Sequence, residues 1–185
     1  VEAPDGQYLT GRSHWVTHNS PFLSAIAAFE ALGNCRFAGW DANGRPVGAP
    51  WNAERKVEIS LLAVSEDQTR NAFEPMKEMM GTDHLAAYYP GLEVMETRIL
   101  LPFNGMIKPR TASAASFEGA PQVFTIADQT ETWLPNNGGL ELGRVAKRNM
   151  SKTDGTLLEA PNAFVPGAGS FAELTWEAYQ KAIAG

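Results

Sequence analysis

At 185 residues the chain is long enough for one domain of ordinary size, and such a chain buries roughly 70% of the surface it exposes when unfolded, so no disulfide or structural metal is required to build a core. Five Trp, four Tyr and nine Phe exclude a disordered chain, and the formal charge of −6 speaks against nucleic acid as a partner, because binding through phosphates draws on clustered Lys and Arg. No apolar run approaches the roughly 18 residues of a membrane span, which reads as a soluble protein, and the single cysteine excludes an intramolecular disulfide or a Cys-x-x-Cys site. Compartment stays open, as does processing from a longer precursor, since the sequence starts VEAPDG without a Met.

Residues 1–12 carry Pro, Gly and charge without periodicity and read as an N-terminal arm, leaving 13–185 as a single globular domain. RSHWVTH is an expected edge strand. Ser20 followed by Pro21 marks a helix start, with Gly33 as its stop, and with Phe22, Ile26 and Phe29 on one stripe, Leu32 close by and only Glu30 charged, the helix is expected to be largely covered. Asn43-Gly44 then suits a tight type I′ hairpin. RKVEISLLAV, residues 55–64, is a strand with Val57, Ile59, Leu61 and Ala63 on one face.

Ser65 and Gln68 form a capping box for a second helix, which Pro75 is expected to kink or restart, with Phe73, Met76 and Met80 inward. Thr82 caps a short helix, and residues 91–103 read as one strand. The resulting order of strand, helix, strand, strand, helix, strand predicts an α+β fold of ferredoxin-like order in the first half. Beyond it, APQVFTIADQTETWL and GGLELGRVAKR read as extra antiparallel strands. A C-terminal helix follows Ser170, with Glu173 completing a second capping box.

His14 and His18 invite a metal reading, but residues four apart share a helix face about 6 Å apart, whereas an extended segment separates them by roughly 13 Å. No metal site is expected, and His84 in GTDHLAA does not change that. His18 directly precedes the helix opened by Ser20, where free amides attract an anionic group. It therefore heads a catalytic set of His18, His84 and Arg98, as donor or general base, with Ser20, Trp40, Trp51 and Tyr88 as ligand-binding residues around an aromatic-lined pocket.

Cys35 follows a helix rather than opening one and reads as a structural thiol. Arg144, Lys147, Arg148 and Lys152 read as a solvated strand edge. No dinucleotide fingerprint, P-loop, Gly-x-Ser-x-Gly elbow or His-Glu-x-x-His is present, so no cofactor is expected. Two functions are compatible with this pattern. One is a small-molecule-binding domain, enzymatic or not, for an organic ligand with an anionic or carbonyl group. The alternative is a non-catalytic structural subunit of a larger assembly, contributing arm, hairpin and loops to its neighbours. Self-association or assembly is expected in either case, without nucleic acid and without a membrane span.

Overall fold

The computed structural model describes residues 7–10, 15–53, 55–112 and 121–184, with side chains described from residue 21 onward. The strands are β1 (Gln7–Thr10), β2 (Trp15–His18), β3 (Arg36–Trp40), β4 (Pro46–Ala49), β5 (Glu58–Ala63), β6 (Glu93–Val94), β7 (Ile99–Leu101), β8 (Gly105–Thr111), β9 (Phe124–Asp128) and β10 (Thr156–Ala160). The α-helices are α1 (Asn19–Leu32), α2 (Glu66–Met80), α3 (Asp83–Tyr88), α4 (Gly139–Thr153) and α5 (Phe171–Ala184).

Helices combine with a mixed six-stranded sheet in the order β10-β9-β5-β8-β7-β6, which is the α+β class expected. The ferredoxin-like order is not found. Its four-stranded sheet is antiparallel, whereas here β10, β9, β5 and β8 are parallel neighbours, and β3 with β4 forms a separate ribbon. The later strands β9 and β10 are parallel as well, correcting the expectation of extra antiparallel strands.

Parallel strands are buried on both faces, and the sequence of β5 obeys that rule rather than alternation: Ser60 and Leu62 are as buried as Ile59 and Leu61. On one face Ile59, Leu61 and Ile126 meet Leu23 and Ala27 of α1 and Phe73, Met76 and Met80 of α2. On the other, Leu62 and Ala127 meet Leu142 and Ala146 of α4, with Trp133 and Phe171. Two helix layers thus sandwich the sheet.

α1 is covered on one side only, with Ile26 and Leu32 packed against the core. Its inward residues are Leu23, Ser24, Ala27 and Ala31, while Phe22 and Phe29 lie outside, 52% and 57% exposed. The small inward residues let α1 approach α2 closely, and Ser24 Oγ donates to the Ala72 carbonyl of that helix at 3.1 Å. Ser20 lies within the first turn of the helix rather than ahead of it. Pro75 does not restart α2, which runs unbroken from Glu66 to Met80.

GGLELGRVAKR is part of helix α4, not a strand, so its basic residues occupy a helix surface and not a sheet edge. The buried set Leu142, Ala146, Asn149, Met150 and Thr153 follows the helical repeat. Its glycines mark close approach: a β-carbon on Gly139 would stand 2.4 Å from Trp133 Cα, and one on Gly143 2.3 Å from the Phe171 ring. Residues 91–103 divide into β6 and β7, and the sequence reading passes over β8 and β10 altogether. The β3–β4 connection is five residues long: Asp41 accepts the amides of Asn43 (2.8 Å) and Arg45 (2.9 Å), and only Gly44 is left-handed.

Candidate functional site

In parallel sheets covered on both faces, ligands bind beyond the carboxyl ends of the strands, where consecutive connections leave in opposite directions. That point is set by the strand order. The chain leaves β5 toward β8 and leaves β9 toward β10, so the crevice opens between β5 and β9. Register brings the ends level: Ala63 pairs with Thr111, and Asp128 with Ala160.

Asp128 ends β9, and an apolar strand running into an acidic residue, VFTIAD, is the signal that would have pointed to it. It is 3% exposed, and its Oδ1 has no hydrogen-bond partner among the described residues. Burial pushes its carboxyl up from 3.8 to about 6; the Gln129 amide opposes this and the charge of Glu131 adds to it. Trp133 Nε1 donates to the Asp128 carbonyl at 3.0 Å and so fixes the strand end.

The chain turns sharply here. Gln129 adopts a left-handed conformation (φ 52°), and its amide donates to Ala160 O at 3.0 Å, tying the ends of β9 and β10 together. Its side-chain oxygen accepts from Gln68 Nε2 at 2.7 Å, which links α2 to the same corner, and Gln68 Oε1 is buried without a partner. Ser65 caps α2 by accepting the Gln68 amide, leaving the Gln68 side chain free for this bond.

Two further carboxylates flank the edge. Glu131 accepts from the amide and the side chain of Asn162, both at 3.0 Å, and thereby clamps the segment after β10. Glu159 accepts from Thr175 Oγ1 at 3.0 Å and Thr130 Oγ1 at 3.5 Å, and burial raises its carboxyl above the usual range. Both are engaged, whereas Asp128 keeps an open acceptor. This edge can therefore hold a donor or a cation, or exchange a proton in mildly acidic solution. Among the described residues, no three His, Cys, Asp or Glu side chains form a metal-binding group.

The residues expected from sequence do not converge. His14 lies outside the described residues; His18 ends β2, and Ser20 sits in the first turn of α1. His84 is exposed in α3, Arg98 is exposed ahead of β7, and Trp40 stands 67% exposed on the β3–β4 ribbon against Phe37. Trp51 is core: its Nε1 donates to Glu30 at 2.9 Å and Arg36 stacks on its ring at 4.6 Å. Tyr88 alone of the set lines a large cleft. Cys35 is partly buried, its thiol pushed up to about 12 chiefly by burial and then by Glu30, the opposite of the shift that activates a thiol.

No protein-family model matches the chain. Over 171 residues it is 36% identical to the Gene 13 protein of Mycobacterium phage L5, covering 89% of this chain and 28% of that protein. The Gene 13 protein of Mycobacterium phage D29 is 31% identical over the same length and share. The chain thus spans about 28% of the curated relatives it matches. In fold it is similar to the large terminase of bacteriophage HK97, with a TM-score of 0.64 at 12% identity, over 89% of this chain and 30% of that one. The ATPase domain of the Thermus phage P74-26 large terminase gives a TM-score of 0.53 at 17% identity, over 80% of this chain and 57% of that one.

These likenesses correct two expectations. A small-molecule-binding domain is not what phage Gene 13 proteins and large terminases point to; they favour the alternative of a subunit in a larger assembly. The exclusion of nucleic acid falls with it. Net charge is an average over the whole chain, and −6 does not forbid a partner met by another face or another subunit.

Proposed function

We propose that the chain is part of a terminase-type subunit of a phage DNA-packaging assembly, with the crevice at Asp128 as its reactive edge. The observation that carries this reading is a coincidence of extent. Similarity to the phage L5 Gene 13 protein and likeness in fold to the HK97 large terminase each cover 89% of the chain. The placement of Asp128 supports it independently, because the open acceptor lies where a sheet of this topology meets its ligand.

The fold likeness to an ATPase domain implies a nucleotide and its cation, and the residues present match that pair in part. Asp128 offers a buried, unpartnered acceptor suited to a cation or a cation-bound water. A cradle for phosphates is not matched in the sequence: Gly-x-x-x-x-Gly-Lys-Ser/Thr occurs nowhere in it. The nucleotide does not fit this chain as a complete site. What the chain supplies is the carboxylate and its mounting, with Gln129 and Trp133 fixing the strand end and Gln68 joining it to α2.

The test is a segment exchange. The matched segment of the phage L5 Gene 13 protein is replaced by this chain, and DNA-filled heads are counted in infected cells. The hybrid is expected to fill heads, and Asp128→Asn to leave them empty while the hybrid accumulates to the same level. A stable hybrid that fills no heads would overturn the terminase reading. Packaging undiminished in Asp128→Asn would overturn the assignment of the edge.

A further inference from the structure

The crevice at Asp128 makes no use of the pair His18-Asn19, and of the three histidines in the sequence only His18 precedes an asparagine. The backbone places this pair at a seam. β1 and β2 form a two-stranded ribbon apart from the six-stranded sheet, and its register ends with Gln7 opposite His18. α1 begins with the next residue, so the bond from Asn19 to Ser20 is the first inside that helix. First turns fray readily, because their amides lack partners within the helix. The six-stranded sheet and α2 to α5, which build the Asp128 edge, all come later in the chain.

Across this seam the sequence joins a proton donor to an internal nucleophile. An asparagine amide is a weak nucleophile in solution, but its attack on the main-chain carbonyl of the same residue closes a five-membered ring. Such an intramolecular reaction gains an effective molarity of about 10⁵ M or more when the geometry is right. The obstacle is the leaving group, since an amide nitrogen departs only once it is protonated. Imidazole, which titrates at about 6.5, is the side chain best suited to supply that proton near neutrality, and His18 is the adjoining residue.

We propose that the chain cuts its own backbone between Asn19 and Ser20, by cyclisation of Asn19 with His18 as general acid. The Asn19 side-chain nitrogen forms a bond to the Asn19 carbonyl carbon and gives up one proton. The bond from that carbon to the Ser20 nitrogen breaks, and its electron pair leaves with the nitrogen. His18 supplies the proton that turns this nitrogen into an amine, and the proton released by the side chain restores His18. No water, metal or oxidant is consumed. The segment up to Asn19 leaves with a cyclic imide at its end and carries the β1–β2 ribbon, while the rest starts at Ser20 with α1 shortened by its first residue.

The experiment expresses the gene of this protein in full and reads the bond by mass spectrometry after trypsin, which leaves Ser13 to Arg36 as one peptide while the bond is whole. The expected product is Ser13 to Asn19 ending in the imide, one water lighter than the same peptide with a free carboxyl end. Asn19→Ala and Asn19→Asp should both keep the bond whole, the second because it preserves size while removing the amide nitrogen. His18→Ala should slow cleavage roughly a hundredfold, and imidazole in the buffer should restore part of the rate, which a merely structural histidine would not allow. The proposal is overturned if the Ser13–Arg36 peptide persists whole in the parent protein, or if cleavage survives both Asn19 substitutions. A free carboxyl end from the outset would equally overturn it, as the mark of hydrolysis, and cleavage at the parent rate in His18→Ala would overturn the role given to His18.

Discussion

Asp128 shows how a reactive position and a stable one make opposite demands on the same side chain. Burial holds its carboxyl at about 6 in the folded chain against 3.8 ordinarily, so between those values the folded state binds the extra proton. Stability from this group is therefore full below pH 4 or so and is lost as pH rises through 6. Asp128→Asn removes the buried charge and is expected to raise stability at pH 7.5 by about 2 kcal/mol, an advantage that shrinks below pH 5. Urea melts of both proteins across that range check it. A more stable variant that no longer fills heads would mark a residue retained for function at the expense of stability. Gly139 is a different kind of single-residue constraint. Gly139→Ala puts a β-carbon 2.4 Å from Trp133 backbone, and the overpacking should cost about 1–3 kcal/mol in urea denaturation despite alanine's better helix propensity.

At the scale of elements, helix starts are where local chemistry and tertiary demand meet. Ser170 accepts the Glu173 amide at 3.2 Å, half of the capping box read from sequence. The Ser170 amide in turn acts on the Glu173 carboxylate, as the box requires. The same carboxylate accepts from the amides of Gly167 (2.5 Å) and Gly169 (2.6 Å), closing the preceding loop onto α5, and those bonds hold its carboxyl below the usual range. A lowered carboxylate stabilises above its ordinary value near 4.5 and loses that contribution as pH falls through the lowered one. Glu173→Gln should therefore lower Tm at neutral pH, with the gap to the parent closing in acid, as thermal melts at pH 7 and pH 3 would show. α2 follows the same logic, where the Gln68 side chain leaves its own helix start to bind Gln129, 61 residues away. Gln68→Ala should cost about 1 kcal/mol and loosen the corner that carries Asp128.

For the whole molecule, stability is expected to be graded outward from the parallel strands. β5 and β9 are buried along nearly their full lengths, whereas the β3–β4 ribbon is largely exposed and α5 is exposed from Trp176 onward. Amide exchange should be slowest in β5 and β9, and fastest in β3, β4 and the last turns of α5. Equal protection of the ribbon and β5 in the isolated chain would mean that the ribbon is covered by a second copy. The exposed pair of Phe37 and Trp40, 5.3 Å apart, makes that ribbon the place to look first.

What could be read from the sequence is what neighbouring residues decide among themselves. Ser65 before α2, Thr82 before α3 and Ser170 before α5 declare helix starts because the cap and the amide it accepts are three residues apart. β5 and β9 declare themselves by apolar runs, and the α+β class follows from those elements. α4 escaped because Gly139 and Gly143 weaken the helical signal of a stretch read as a strand, whereas they are needed where Trp133 and Phe171 come too close for a β-carbon. β8 escaped because Pro109 argues against a strand; β7 pairs only with its first half, so the missing amide faces an edge. The candidate site escaped for the same reason at larger range. Asp128 in sequence is one acid among many, and only the crossing of the chain from β8 over β5 to β9 sets it at a parting of connections. Its burial and open acceptor come from residues far apart in the chain, because strand adjacency is set by the packing of whole layers and not by any local pattern.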